Sequence, residues 1–80
     1  MSSKILFFSA PWCGPCKLVK SALTDDVRER LNIEEIDVSK NPEKSAQHQI
    51  LGVPTFIKLD SEKETFRNVG SMTIEELEKL

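Results

Sequence analysis

The chain has 80 residues, of which 39% are hydrophobic and 30% charged, and its formal net charge is −2. This length predicts a single domain over residues 1–80, and the composition excludes disordered, collagen-like and coiled-coil chains. The slight acidity excludes the basic surface that nucleic acid or an anionic membrane attracts, so we expect neither partner. The apolar run at residues 5–8 is too short for a membrane span or a signal peptide, which predicts a cytoplasmic protein.

The first half of the chain has the pattern of two strands joined by a helix. Residues 4–9 form a short apolar run that stops at Ala10-Pro11, which is typical of a central strand. Apolar residues recur at helical spacing over 17–32, with a candidate interruption at 24–26. Residues 33–38 predict a second strand, parallel to the first because a helix crosses between them.

The second half predicts a helix, a hairpin and a last helix. Asn41 stands as a cap before Pro42 and predicts a helix over 42–50, while runs at 55–59 and 65–69 predict an antiparallel pair. Thr73 and Glu76 form the pattern of a capping box. The element order is βαβαββα, and the predicted fold class is α/β, with a four-stranded mixed sheet flanked by three helices.

Two cysteines, Cys13 and Cys16, lie where the first strand ends and the first helix begins. Their spacing places the Cα atoms about 5.5 Å apart, within reach of a disulfide. The free N–H groups and positive dipole end of the helix favour a thiolate at Cys13. The more accessible Cys13 is therefore predicted to attack a disulfide, and Cys16 to resolve the mixed disulfide that results.

The same cysteine spacing also forms half of a zinc or iron–sulfur site. A structural zinc site takes about four ligands, whereas the chain offers two cysteines and the distant His48. A metal site would then need a second copy of the chain. We expect neither a metal nor an organic cofactor.

Three motifs together resemble the thioredoxin family: Trp12-Cys13-Gly14-Pro15-Cys16, Val53-Pro54-Thr55 before the hairpin, and Val69-Gly70 before the last helix. The resemblance spans nearly the whole chain and implies a minimal thioredoxin fold with a cis peptide bond at Pro54. It also implies a surface that holds an extended target peptide beside Cys13. The residues of this predicted target surface are Trp12, Gly14, Pro15, Val53, Pro54 and Gly70.

The chain departs from the family in two respects. Only twelve residues precede Cys13, so the extra strand and helix with which larger thioredoxins begin are not expected, and 33–38 becomes an edge strand. In this the sequence is similar to short phage and prophage thioredoxins. The family's buried acid, a proton acceptor six residues before the first cysteine, is replaced by Phe7. On the neighbouring strand Glu35 aligns beside Phe7, and we predict that Glu35 accepts the Cys16 proton through a water.

These observations predict a protein-disulfide reductase that cycles between a Cys13/Cys16 dithiol and disulfide. The resemblance implies thioredoxin reductase as electron donor and ribonucleotide reductase as a candidate target, and a monomer is expected. Two alternatives stay open. One is a glutathione-linked reductase resembling glutaredoxins, although Gly14-Pro15 and Gly70-Ser71 fit thioredoxins better. The other is a non-catalytic subunit of another enzyme, against which the intact cysteine pair argues.

Overall fold

A computed structural model describes residues 2–80 and contains one four-stranded sheet with the order β2-β1-β3-β4. Its strands are β1 (Ser3–Ser9), β2 (Ile33–Asp37), β3 (Thr55–Asp60) and β4 (Lys63–Val69). β1 pairs parallel to β2 and antiparallel to β3, and β3 pairs antiparallel to β4. The predicted mixed sheet is confirmed, and within the described residues β2 lies at an edge.

The helices number four in residues 2–80, not the three that the sequence predicted. They are α1 (Gly14–Ala22), α2 (Asp25–Arg30), α3 (Pro42–Gln47) and α4 (Ile74–Glu78). The single helix predicted over 17–32 is divided because Thr24 adopts an extended conformation, with φ −68° and ψ 165°. Its hydroxyl accepts a hydrogen bond from the Val27 N–H at 3.3 Å and begins α2.

The helix predicted over 42–50 ends early, at Gln47. Gln49 has a left-handed φ of 54°, which turns the chain out of the helix. The expected side-chain cap at Asn41 is also wrong, because its amide donates to the Asp37 carbonyl at 3.0 Å and makes no capping bond. The capping box of α4 is confirmed, with both bonds between Thr73 and Glu76 present.

The β3–β4 hairpin is tighter than the predicted loop at 60–64. Ser61 and Glu62 have φ values of 50° and 69°, so two residues suffice for the turn. Two positive φ angles match the twist of the flanking strands, which lets both strands extend toward the turn. The strands therefore run to Asp60 and from Lys63.

The sheet separates two apolar clusters. On one side Phe7 and Phe56 stack with ring centroids 4.9 Å apart, and both are fully buried. This cluster includes Cys16 and Val19 of α1. The other side buries Leu6, Phe8, Ile36 and Ile57. The cysteine pair is thus anchored in the first cluster. No helix in the described part of the chain is long and apolar enough to cross a membrane.

Candidate active site

The turn between β1 and α1 presents the cysteine pair. Cys13 caps α1 with an extended backbone, and its Sγ accepts a hydrogen bond from the Cys16 N–H at 3.2 Å. The Cys13 N–H donates to the Ala10 carbonyl at 3.1 Å, which closes the turn. Pro15 fits the first turn of α1 because the N–H that proline lacks would be unpaired there.

Cys13 and Cys16 form a disulfide, with their Cα atoms 5.3 Å apart. The exposed fraction is 5% for Cys13 and 0% for Cys16, so Cys13 is less accessible than its loop position predicted but is the more accessible of the two cysteines. Gly14 and Pro15 are exposed beside it. Since exchange requires an approach to sulfur, this geometry favours attack at Cys13.

Pro54 directly precedes β3 and lies next to Gly70, the first residue of the connection from β4 to α4. The Val53–Pro54 peptide bond is cis, as the resemblance implied, and Pro54 is buried. The Gly70 N–H donates to the Pro54 carbonyl at 2.8 Å. Gly70 has a φ of 117°, a conformation that side chains disfavour, so glycine suits this contact. Three residues of the predicted target surface are thus brought together.

Trp12 and Val53 line a small groove of about 160 Å³, called here the apolar groove. It contains three apolar residues that the sequence reasoning missed, namely Val38, Ile50 and Leu51. The signal that could have revealed Leu51 was an apolar residue in a segment that ends a helix and precedes a glycine. A larger depression of about 390 Å³, beside Lys4 and Lys44, is lined by none of the predicted site residues.

Phe7 and Glu35 are register partners across the β1–β2 pair, as the alignment of the strands predicted. The Glu35 carboxylate accepts from the Ser9 hydroxyl at 3.2 Å and pairs with Lys20 Nζ at 3.1 Å and Arg28 Nη1 at 3.0 Å. Burial favours its protonated form, but bonds from the two cations outweigh burial and hold the pKa of Glu35 below its ordinary 4.5. Its predicted role as acceptor of the Cys16 proton stays a prediction.

The family model described as Thioredoxin matches residues 2–80. The chain belongs to the thioredoxin family. It is 33% identical to the thioredoxin of Bacillus subtilis (strain 168) over 76 residues, which cover 91% of this chain and 73% of that protein. The Mycobacterium tuberculosis (strain H37Rv) thioredoxin is 37% identical over 67 residues, or 80% of this chain and 58% of the relative. The chain thus spans little more than half of this mycobacterial thioredoxin.

Solved thioredoxin structures agree with the fold. The X-ray structure of Fasciola hepatica thioredoxin superposes with a TM-score of 0.83 at 25% identity, covering 96% of this chain and 76% of that one. A malaria parasite thioredoxin-2, described as a component of protein secretion machinery, gives a TM-score of 0.83 at 20% identity, with 95% and 77% covered. The minimal thioredoxin fold expected from the sequence is confirmed.

Family membership and the paired cysteines together define the chemistry. Cys13 and Cys16 are within bonding distance at the start of α1, as thiol–disulfide exchange through a two-cysteine motif requires. The thioredoxin match covers the cysteines and the sheet that positions them. This member of the thioredoxin family is therefore a thiol–disulfide oxidoreductase of the protein-disulfide reductase class, and Cys13–Cys16 is its redox-active disulfide.

Proposed function

We propose that the Cys13 thiolate of the reduced protein attacks one sulfur of a disulfide in a partner protein. A bond forms between Cys13 Sγ and that sulfur, the partner's S–S bond breaks, and the released thiolate takes up a proton. The observation that carries this assignment is the placement of Cys13 Sγ as the cap of α1, where it accepts from the Cys16 N–H. Backbone N–H groups at a helix N-terminus stabilise a thiolate.

Cys16 completes the exchange. After it loses its proton, its thiolate attacks Cys13 Sγ and forms the Cys13–Cys16 bond. The bond from Cys13 to the partner breaks, and the second partner sulfur leaves as a thiolate that takes up a proton. Two electrons have then passed from the protein to the partner, and the protein is oxidised. The 5.3 Å separation of the two Cα atoms supports this step, because it lies within the range that a disulfide spans.

The predicted target surface would lie around the reacting Cys13 sulfur. Trp12, Gly14 and Pro15 are exposed beside Cys13, and Trp12 has 73% of its surface accessible. An exposed tryptophan offers a large apolar contact to a bound chain. We assign Val53, Pro54 and Gly70 to the second part of this surface, and the Gly70 N–H donates to the Pro54 carbonyl. A partner segment in extended conformation would lie between the two parts.

We propose thioredoxin reductase, supplied with NADPH, as the electron donor that regenerates the dithiol. A Mycobacterium leprae relative that is 36% identical over 67 residues is named bifunctional thioredoxin reductase/thioredoxin. Its name indicates that the reductase and the thioredoxin are parts of one chain there. Ribonucleotide reductase is our proposed target, and a monomer acting in the cytoplasm is the proposed form. The donor, the target and the form are proposed because the chain belongs to the thioredoxin family.

Insulin reduction coupled to NADPH oxidation tests the donor. We expect turnover with thioredoxin reductase and little with glutathione and glutathione reductase, and the reverse result would favour the glutaredoxin alternative. Cys16→Ser tests the roles of the cysteines, because the variant can form a mixed disulfide but cannot resolve it. Cys13→Ser is the matched control and should trap no partner. Equal trapping by both variants would contradict the assignment.

A further inference from the structure

The connection from β4 to α4 begins at Gly70, a residue of the predicted target surface. Its φ of 117° lies in a region that side chains disfavour. Among the described residues, apart from its neighbours in the chain, no atom lies within 4 Å of the position that a Cβ would take. Because glycine has the widest choice of backbone conformations, other groups must hold this segment in one of them.

Packing at the end of β4 contributes little to the order of Gly70. Val69, the last residue of β4, has 63% of its surface exposed. Ser71, which follows Gly70, is also exposed. Stabilisation by burial is proportional to the apolar area removed from water, and little is removed here. Hydrogen bonds to the two peptide groups of Gly70 therefore have to hold the segment.

Both backbone groups of Gly70 are hydrogen-bonded. Its N–H donates to the Pro54 carbonyl at 2.8 Å, and its carbonyl accepts from Asn68 Nδ2 at 3.1 Å. Since each peptide group is planar, the first bond orients the peptide before Gly70 and the second orients the peptide after it. The Asn68 side chain thus completes a chain of bonds from β4 through Gly70 to the cis proline.

Asn68 is itself held by the sheet. It is the register partner of the fully buried Phe56 on β3, and it is half-buried. Burial reduces the rotamer freedom of a side chain, so the amide is a well-defined donor. Asparagine suits this position because its short amide can bond to the backbone two residues further along the chain.

We propose that Asn68 is a positioning residue for disulfide reduction, which holds the Gly70 carbonyl and so preorganises the second part of the predicted target surface. This inference rests on the proposed function. Asn68 acts through Gly70, and the role requires no contact with the partner or with the reacting sulfurs. A surface held in its binding conformation in advance loses less conformational entropy when a partner binds. The contribution of Asn68 should therefore appear in KM and not in kcat.

The test compares reduction of insulin and of hydroxyethyl disulfide by pre-reduced protein. Insulin presents a polypeptide segment to the target surface, whereas hydroxyethyl disulfide has none. In Asn68→Asp the carboxylate keeps the shape of the amide but only accepts hydrogen bonds, so the bond to Gly70 is lost. The KM for insulin should rise by about threefold to tenfold with kcat kept, and hydroxyethyl disulfide should be reduced as by the wild type. Asn68→Ala removes the amide without adding a charge and should raise KM in the same way.

Asn32→Asp is the matched control. The Asn32 amide also donates to a backbone carbonyl, that of Ser3 at 2.8 Å, and the substitution adds the same negative charge. Asn32 directly precedes β2, whereas Cys13 follows the end of β1. Because β1 and β2 are parallel, the two residues lie at opposite ends of this strand pair. Asn32→Asp should therefore keep the wild-type KM for insulin.

Hydrogen exchange gives a readout that does not depend on activity. When the Gly70 carbonyl is released, the bond from the Gly70 N–H to Pro54 should open more often. Exchange of this N–H, followed by NMR, should accelerate by about threefold or more in Asn68→Asp. In Asn32→Asp the exchange rate of the same N–H should match that of the wild type.

Three results would overturn the inference alone: a wild-type KM for insulin in both Asn68 variants, unchanged exchange of the Gly70 N–H, or the same rise in KM in Asn32→Asp. An equal loss of activity on insulin and on hydroxyethyl disulfide would also contradict it, because that would indicate a general disturbance of the fold. A wild-type protein that reduces no disulfide would contradict the proposed function, while the exchange of the Gly70 N–H would still test the hold of Asn68 on Gly70.

Discussion

Phe7 and Glu35 lie side by side on β1 and β2, with the aromatic ring in the core and the carboxylate between two cations. The resemblance to thioredoxins places a buried acid at the position of Phe7. In this chain Glu35 lies beside Phe7 on the neighbouring strand and pairs with Lys20 of α1 and Arg28 of α2. A carboxylate with two cationic partners stabilises the fold, and the proton-accepting role predicted for it can be tested separately.

Glu35→Gln tests the predicted proton acceptor. The amide keeps the shape of the side chain and cannot take a proton, so the release of partner from the mixed disulfide should slow by about tenfold or more near neutral pH. Alkylation of Cys13 should stay normal. Stopped-flow reduction of insulin across pH measures the effect, and an unchanged rate and pH profile would leave water or hydroxide as the acceptor.

The Glu35 ion pairs should also make stability depend on pH. The pKa of Glu35 is lowered in the folded protein, so its contribution is fully present above the unfolded value of 4.5 and is lost as pH falls through the folded pKa. The free energy of unfolding measured in urea should therefore decline as the pH falls below 4.5. Glu35→Gln should be less stable than the wild type at neutral pH, and the difference should narrow in acid.

Glu29→Gln is the control for this pH dependence, since Glu29 lies exposed on α2. Its unfolding curve should follow the wild type at each pH. A constant difference between wild type and Glu35→Gln from neutral pH into acid would show that the ion pairs contribute nothing to the pH dependence.

Phe7→Ala should destabilise the protein by about 3–5 kcal/mol, because the truncation removes a fully buried ring and leaves a cavity beside Phe56. Chemical denaturation measures the loss. Leu18→Ala, at an exposed position, should change the free energy of unfolding by no more than about 0.5 kcal/mol. Comparable effects of the two substitutions would contradict the packing assigned to Phe7.

Limited alkylation of the reduced protein should modify Cys13 before Cys16. Cys13 is the less buried residue and lies at the N-terminus of α1, while Cys16 is fully buried. Mass spectrometry of peptides after a short exposure to iodoacetamide identifies the modified residue. Faster modification of Cys16 would reverse the roles proposed for the two cysteines.

The sequence alone was sufficient for features that depend on neighbours along the chain. Cys13 and Cys16 are three residues apart at a strand–helix junction, so their spacing predicted disulfide reach without knowledge of the rest of the fold. The capping box at Thr73 was equally local. The parallel pairing of β1 and β2 followed from the helix between them, because such a crossover constrains strand direction.

Only the tertiary structure decided which distant side chains meet. Glu35 gains its partners from α1 and α2, and their meeting depends on how both short helices pack over the edge of the sheet. The apolar groove likewise joins Trp12, Val38 and Leu51 from separate loops. Sequence spacing fixes neither orientation nor distance between such segments, because these are set by packing of the whole core.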